Sequence, residues 1–248
     1  MKPFYCFITV RSNSTRLPNK CFLPFGVHDV LSHLIKRAKF YKLYPIICTT
    51  QNSKDDEIVK TAEKYMVDFY RGSENNKIMR WYECAKHFQI NKFHTIDGDD
   101  LFFCGDEIKR SLLALTDKFD IVQPTHSSSK GGGTVGYSIR TKCLNNIVSN
   151  TTSVTNTEMI MAFLNKEEEL RKTVLEEPSS YRIEGRITLD YWEDYIFLEC
   201  LRIFLGNNAS RQEIYNFLKE NNKFKAINML RNEERPKRQQ LQYKQSDK

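Results

Sequence analysis

Over its first half the chain alternates short apolar runs with amphipathic stretches, and this alternation restricts the available folds more than any other feature. Residues 4–10, 43–50, 67–70, 93–96 and 119–123 read as strands. Between them lie helical patterns at 29–42, from Ser53 as N-cap to 66, at 77–89 and at 106–116. The first helix places Val30, Leu31, Leu34, Ile35 and Ala38 on one face. Strict strand–helix alternation predicts βαβ units and a mainly parallel sheet. The pattern changes near 125, where a Ser/Gly-rich loop at 126–133 precedes shorter mixed elements at 135–140, 141–148, 158–164 and 173–177. A last strand at 187–189 ending in Asp190, then helices at 192–204, 211–220 and 224–233, complete the reading. Residues 1–234 form one expected domain, with 125–186 inserted as a subdomain. Residues 235–248 carry five cations with few apolar anchors and are expected to be a disordered basic tail.

Seven cysteines, an odd number without a C-x-x-C pair, argue against a disulfide framework or zinc site and for reduced thiols in the cytoplasm. No run of eighteen apolar residues is present, so no membrane span is expected. The five histidines form no ligand-spaced pair. A formal charge of +7 admits a nucleic-acid partner, but no nucleic-acid-binding module is present. An anionic small substrate accounts for the charge equally well.

The chemistry concentrates at strand ends. Residues 11–20, Arg-Ser-Asn-Ser-Thr-Arg-Leu-Pro-Asn-Lys, directly follow the first strand. Ligands of open α/β sheets bind outside the carboxyl ends of the strands. Arg11 and Arg16 offer forked donors and Lys20 a compact charge, both suited to phosphate. Ser12, Asn13, Ser14 and Thr15 are short enough for backbone N–H groups to approach an anion. The G-x-x-x-x-G-K pattern of a Walker loop is absent. Composition alone is equally compatible with a basic surface loop; position favours a polyphosphate site. Asp97-Gly98-Asp99-Asp100 closes another strand, and Asp190 another. Carboxylates at strand ends suit Mg²⁺, although an Asp-Gly turn by itself is usually structural. Asp97-Gly98-Asp99 is also a D-x-D triplet, which supports an alternative: a metal-dependent glycosyltransferase using a nucleotide-sugar. The basic loop, which a free triphosphate requires, weighs against it. A non-enzymatic basic binding protein is the third reading.

The set Arg11-x-x-Ser14-Thr15-Arg16-Leu17-Pro18-x-Lys20 resembles the signature loop of the cytidylyltransferases that make CMP-activated acidic sugars. The branch associated with spore-coat polysaccharide synthesis is the most similar; acylneuraminate and Kdo cytidylyltransferases are more distant. Further matching positions are Cys48-Thr49-Thr50 with Asp55 to Ile58, Tyr70 to Glu74 with Arg80, Gly98-Asp99, Arg186 to Asp190 with Glu193-Asp194, and Ala226 to Asn228. The resemblance implies a Rossmann-like, GT-A-like nucleotide-diphospho-sugar transferase fold, a three-layer α/β sandwich, dimeric through the inserted segment. It implies Mg²⁺-dependent transfer of CMP from CTP to an acidic sugar, or a phosphorylated or phosphonate acceptor, for surface polysaccharide synthesis. Arg11, Arg16 and Lys20 would hold the triphosphate, with Asp99 and Asp190 as metal ligands. Ser12, Asn13, Ser14, Thr50, Gly72, Ser73 and Arg80 would border the nucleotide. Ile160, Met161, Phe163 and Leu164 would supply a dimer interface. The sequence departs from that pattern at Asp100-Leu101, where a proline is usual, and near Gly136, where an acidic residue is expected.

Overall fold

The computed structural model describes residues 3–178, 182 and 185–231. The first element among the described residues is strand β1 (Tyr5–Thr9). A small hairpin of β2 (Pro24–Phe25) and β3 (His28–Asp29) precedes helix α1 (Val30–Phe40). Asp29 caps that helix, its carboxylate accepting from the Ser32 amide at 2.6 Å. Strand β4 (Tyr44–Thr50), helix α2 (Asp56–Lys64), strand β5 (Asp68–Gly72) and helix α3 (Lys77–His87) follow. Then come β6 (Lys92–Asp97), α4 (Gly105–Ala114) and β7 (Ile121–Gln123). Beyond them lie β8 (Ser138–Arg140), α5 (Asn145–Ser149), α6 (Ile160–Leu164), β9 (Lys172–Val174), α7 (Trp192–Leu205) and α8 (Arg211–Glu220).

One seven-stranded sheet runs β5-β4-β1-β6-β8-β7-β9. β8 alone is antiparallel to its neighbours in that sheet. The expected α/β architecture with a mainly parallel sheet is therefore the observed one. Successive residues of β1 face opposite sides: Cys6 and Ile8 join a core with α1, α2, α4, α7 and α8, while Phe7 joins a second core with α3, α5 and α6. Helices thus cover both faces, giving three layers. The chain leaves β1 for β4 and β5 on one side, then crosses to β6 on the other. The carboxyl ends of β1 and β6 therefore flank a topological switch point, where a crevice forms.

Four expectations need correction. Ser53 does not cap α2: it begins a 3-10 turn, Ser53–Asp55, capped by Asn52, whose side chain accepts from the Lys54 amide. Residues 187–189 form no strand. Ile187 and Leu189 are fully buried, but their amides bond Gly131 and Asp99 separately, without a continuous ladder. Of the helix expected at 224–233, the described residues form a 3-10 segment, Asn222–Ile227, a turn at 228–229 and helix only at 230–231. Finally, Ile160, Phe163 and Leu164 are buried in the chain's own second core, so they are spent before any partner arrives. Within 125–186, both β8 and β9 join the main sheet. The proposed tail, 235–248, lies outside the described residues.

Candidate active site

A cleft of about 590 Å³ opens at the switch point. One wall is the loop after β1, contributing Arg11, Asn13, Ser14, Thr15, Arg16 and Lys20. The opposing floor is the turn after β6, with Asp97, Gly98, Asp99 and Asp100. Asp190 and Tyr191 close one end; Glu158 to Met161 and Tyr137 form the far wall.

The loop is held from behind by one buried carboxylate. Asp55 accepts from the Ser12 amide (2.8 Å) and hydroxyl (2.7 Å), and from Thr49 Oγ1, Thr50 Oγ1 and the Thr50 amide. Burial opposes its ionisation, but the bonds from Ser12 and the threonines prevail and lower its pKa. Ser12 and Thr50 are therefore committed to anchoring the loop and do not line the cleft. Among the described residues, none accepts from the backbone N–H groups of Asn13, Thr15 or Arg16. Asn13, Thr15 and Arg16 line the cleft together with Lys20, and amides and cations gathered in this way suit an anion.

Lys20 spans both halves of the site. Its ammonium donates to Asp99 Oδ2 at 2.9 Å, to the Leu189 carbonyl at 2.6 Å and to Asp190 Oδ1 at 3.3 Å. Burial alone would lower its pKa, yet Asp99 and Asp190 raise it, so Lys20 is charged. Arg16 also meets Asp190 Oδ1, at 2.7 Å. Asp190 Oδ2 accepts from Arg186 at 2.7 Å. Burial works against the ionised form of Asp190, but Lys20, Arg16 and Arg186 bring its pKa down to about 2.

A buried clamp sets the position of Asp190. Asp194 accepts from the amides of Asp190 (2.9 Å) and Tyr191 (3.0 Å), and from both Nε and Nη2 of Arg186. The Asn228 amide group donates to Asp194 Oδ1 at 3.0 Å and to the Arg186 carbonyl at 2.9 Å. The closing Ala226 to Asn228 motif thus fixes the distant Asp190 turn.

Asp97, Asp99 and Asp100 each offer an oxygen, these atoms lying within 4.8 Å of one another. Lys77 pairs with Asp97 at 2.6 Å and lies 5.2 Å from the Trp81 ring centroid. Asp100 is pushed well above the usual carboxylate range by burial first, then by Asp99 and Asp97. Three crowded carboxylates with that excess of negative charge form a donor set fitting a hard divalent cation. Gly133, at φ 51°, makes room here: a Cβ would stand 2.6 Å from Asp100 Oδ1.

Of the expected nucleotide-bordering residues, Asn13, Ser14 and Arg80 line the cleft, whereas Ser12, Thr50, Gly72 and Ser73 do not. Ser73 donates to the Ser153 carbonyl, accepts from the Asn76 amide, and receives Arg80 Nη1 on its own carbonyl. Gly72 permits that approach, since a Cβ would sit 2.9 Å from Arg80 Cγ. Arg80 is 1% exposed, and its Nε has no partner among the described residues. Arg11 reaches Glu158 at 3.2 Å. Sequence reasoning missed Lys77, Glu158, Tyr191 and Arg231, and named Asp55 only as a matching position, without a role at the site. Near Gly136 the absent acidic residue has a steric reason: a Cβ there would collide with the Thr95 carbonyl, while the Gly136 amide donates to His94 Nε2.

A family model described as Cytidylyltransferase matches residues 5–186. The uncharacterised protein MJ1063 of Methanocaldococcus jannaschii is 28% identical over 227 residues, covering 89% of this chain and 92% of that protein. Among solved structures, a cytidylyltransferase from Leptospira borgpetersenii serovar Hardjo-bovis superposes with a TM-score of 0.79 at 23% identity, covering 91% of this chain and 97% of its own. CMP:2-keto-3-deoxy-manno-octonic acid synthetase complexed with CTP gives a TM-score of 0.61 at 12% identity, covering 82% and 99%. At these identities the two structural matches are likenesses of fold.

Proposed function

The chain belongs to the cytidylyltransferase family and is a nucleotidyltransferase, and from that premise we propose Mg²⁺-dependent transfer of CMP from CTP to an acidic sugar or related phosphorylated or phosphonate acceptor. The observation that carries the reading is the meeting of the 11–20 loop and the Asp97–Asp100 turn across one cleft, joined by Lys20. A free triphosphate needs cations and backbone donors, and metal-assisted transfer needs carboxylates beside them. The fold likeness to an acidic-sugar synthetase holding CTP supports the choice of nucleotide and acceptor class.

In this reading the acceptor oxygen attacks the α-phosphorus of CTP and pyrophosphate leaves. Arg16, Lys20 and the N–H groups of residues 13, 15 and 16 bind the triphosphate. Arg11, paired with Glu158, borders the same cleft. Asp99, with Asp97 and Asp100, would hold the metal, and Asp190 would contribute from the opposite side. Bound Mg²⁺ would neutralise phosphate charge and orient the reacting oxygens. Lys20, held between Asp99 and Asp190, keeps a positive charge at the junction of carboxylates and phosphates, where the leaving group develops negative charge.

The seven free thiols support action in a reducing compartment, and the proposed site of action is the cytoplasm. No described helix is long and apolar enough to cross a membrane. Pairing of two chains through 125–186 is part of the same proposal. The test is incubation of purified protein with CTP, UTP, ATP or GTP, Mg²⁺ and a panel of 2-keto-3-deoxy sugar acids, following pyrophosphate release. Release specific to CTP and dependent on Mg²⁺ and acceptor is expected. Turnover of a nucleotide-sugar in place of a free triphosphate would select the glycosyltransferase alternative.

A further inference from the structure

α7, the longest described helix, is apolar on every side. Ten of its fourteen residues are apolar or aromatic and four are charged. A helix of that kind is ordinarily buried all round. Asp194, Leu198 and Leu201 share its inward face and are fully buried. One flank lies against the β2–β3 hairpin: the Tyr195 hydroxyl donates to the Pro24 carbonyl at 2.5 Å, and the Arg202 guanidinium carbon stands 5.7 Å from the Phe25 ring centroid. On the other flank Glu193 and Phe197 meet Arg231 and Phe224 of the segment after α8. Trp192, Ile196 and Ile203 fall within about 40° of one another on the remaining, outward face. They are 57%, 52% and 66% exposed. That stripe carries no charged residue, and every charge elsewhere on α7 is paired: Glu193 with Arg231, Asp194 with Arg186, and Glu199 with Arg202. Phe204 and, on the adjoining segment, Ile227 and Leu230 are exposed as well. Apolar exposure of this extent marks an interaction surface.

We propose that this face docks on an anionic membrane surface, lying in the interface without crossing it. Charge complementarity selects that occupant. Lys223 and Lys225 bracket Phe224, which packs between Phe197 and Phe204 of α7. Arg231 then brings the chain back to the N-terminal end of the helix. Residues 223–248 hold eight cations against three carboxylate side chains, so most of the formal charge of +7 belongs to the stretch that borders and follows the apolar face. Lys and Arg beside apolar side chains are what anionic headgroups attract. Trp192, at one end of the stripe, joins an apolar body to a polar N–H and suits the headgroup level. A second copy suits the face less well. A two-fold contact sets a patch against itself, which would crowd the basic stretches of both chains together. Residues 232–248 of the chain itself offer only Leu241 and Tyr243 as large apolar anchors, too few to cover the stripe. The stripe starts one residue after cleft-lining Tyr191, so the docked face adjoins the cleft.

The experiment is sedimentation of the full chain with vesicles of phosphatidylcholine alone, or of phosphatidylcholine and phosphatidylglycerol in equal parts, with tryptophan emission recorded in parallel. The chain has two tryptophans and Trp81 is fully buried, so a shift in emission reports Trp192. Wild type should bind the mixed vesicles with a blue shift, and severalfold more weakly at physiological than at low salt. Ile196→Glu/Ile203→Glu, shown to be folded by thermal melting, should lose roughly tenfold or more of that affinity. Ile196→Ser/Ile203→Ser should lose a smaller part, and it carries the test if the first variant does not fold. Truncation after Glu234 should weaken binding to the mixed vesicles too. Absence of binding to the mixed vesicles, or binding with unshifted emission, would overturn the proposal. Equal binding by wild type and both double variants would overturn it as well, the basic residues then being sufficient alone. Equal binding to vesicles of phosphatidylcholine alone would remove the anionic surface as the occupant. Should wild type ignore vesicles while light scattering shows a lower mass for the double variants, the face belongs to a second copy. A blue-shifted emission without vesicles that is lost on truncation would assign it to the chain's own end. No readout here uses CTP or turnover, so the outcome is independent of the proposed reaction.

Discussion

Lys20 contacts two of the carboxylates proposed for the metal, Asp99 and Asp190, so its removal should be felt twice. Lys20→Ala should reduce kcat/KM by roughly 10²-fold or more, about 3 kcal/mol of transition-state stabilisation. Near-normal pyrophosphate release from the folded variant would remove Lys20 from the chemistry. Asp99→Asn and Asp190→Asn should each abolish Mg²⁺-dependent turnover with the fold intact, as judged by circular dichroism and a Mg²⁺ titration of rate. Asp190 is already met by Arg16, Lys20 and Arg186. An unchanged Mg²⁺ dependence in Asp190→Asn would therefore assign that carboxylate to holding cations, leaving the Asp97–Asp100 turn as the whole metal site. Asp55 acts from behind the loop. Replacing it with asparagine keeps one acceptor but turns an NH₂ group toward donors from Ser12, Thr49 and Thr50. Leaving buried donors unpaired costs about 1–3 kcal/mol. Asp55→Asn should accordingly lose stability of that order in urea unfolding and raise KM for CTP, since the loop loses its anchor. A variant with normal KM would mean that the loop is fixed from its cleft side.

At the scale of elements, two buried histidines tie strands and helices to their neighbours. His94 of β6 accepts from the Gly136 amide at Nε2, so its Nδ1–H faces Ser138 of β8 at 2.8 Å. His33 of α1 meets the Leu101 carbonyl through Nε2 at 2.9 Å. Burial lowers their pKa values to about 3 for His94 and about 4 for His33, from an ordinary 6.5. The unfolded chain therefore takes up two protons near pH 6.5 that the folded chain refuses. Stability is intact at neutral pH and falls as pH drops below 6.5, by about 1.4 kcal/mol per pH unit for each fully titrating histidine. Urea unfolding at pH 7, 6 and 5 should show the decline before most carboxylates titrate, and His94→Gln should flatten it. A constant stability from pH 7 to 5 would contradict the buried, neutral assignment. β1 and β4 were legible because each carries an apolar run covered on both faces, whereas β5 and β6 mix apolar with polar residues and were legible from their place between helical patterns. β8 and β9 are three residues each, too short for a period to register. Residues 187–189 read as a strand because apolar Ile187 and Leu189 flank Thr188, but both side chains are buried in the first core while their amides bond Gly131 and Asp99 separately. The site divides the same way. Its basic and acidic halves are each clustered within a few positions, so both could be read from sequence. Lys77, Glu158 and Arg231 are single charges in ordinary surroundings, and only the tertiary fold brings them to the cleft.

For the molecule as a whole, pairing through 125–186 must be argued from what that segment presents outward. Its α6 residues Ile160, Phe163 and Leu164 are no more than 9% exposed and contribute to the chain's own core. The large apolar side chains that the segment exposes, among the described residues, are Val154 at 75% and Val174 at 52%. A stable interface of standard size buries roughly 1,600 Å² in total, and permanent ones are larger and more apolar. Two valines supply only a small part of such a patch, so most of the contact would be polar. Polar contacts confer specificity but yield little net free energy once desolvation and side-chain ordering are counted. The expected dimer is therefore of the reversible kind. Light scattering over a dilution series from roughly 100 µM downward should show the mass fall toward one chain, with a Kd on the order of micromolar, about −8 kcal/mol. Val154→Asp should move the midpoint to higher concentration without changing kcat at concentrations where wild type is already monomeric. A mass that stays at two chains throughout, indifferent to Val154→Asp, would place the interface outside 125–186 and remove that segment's role in pairing.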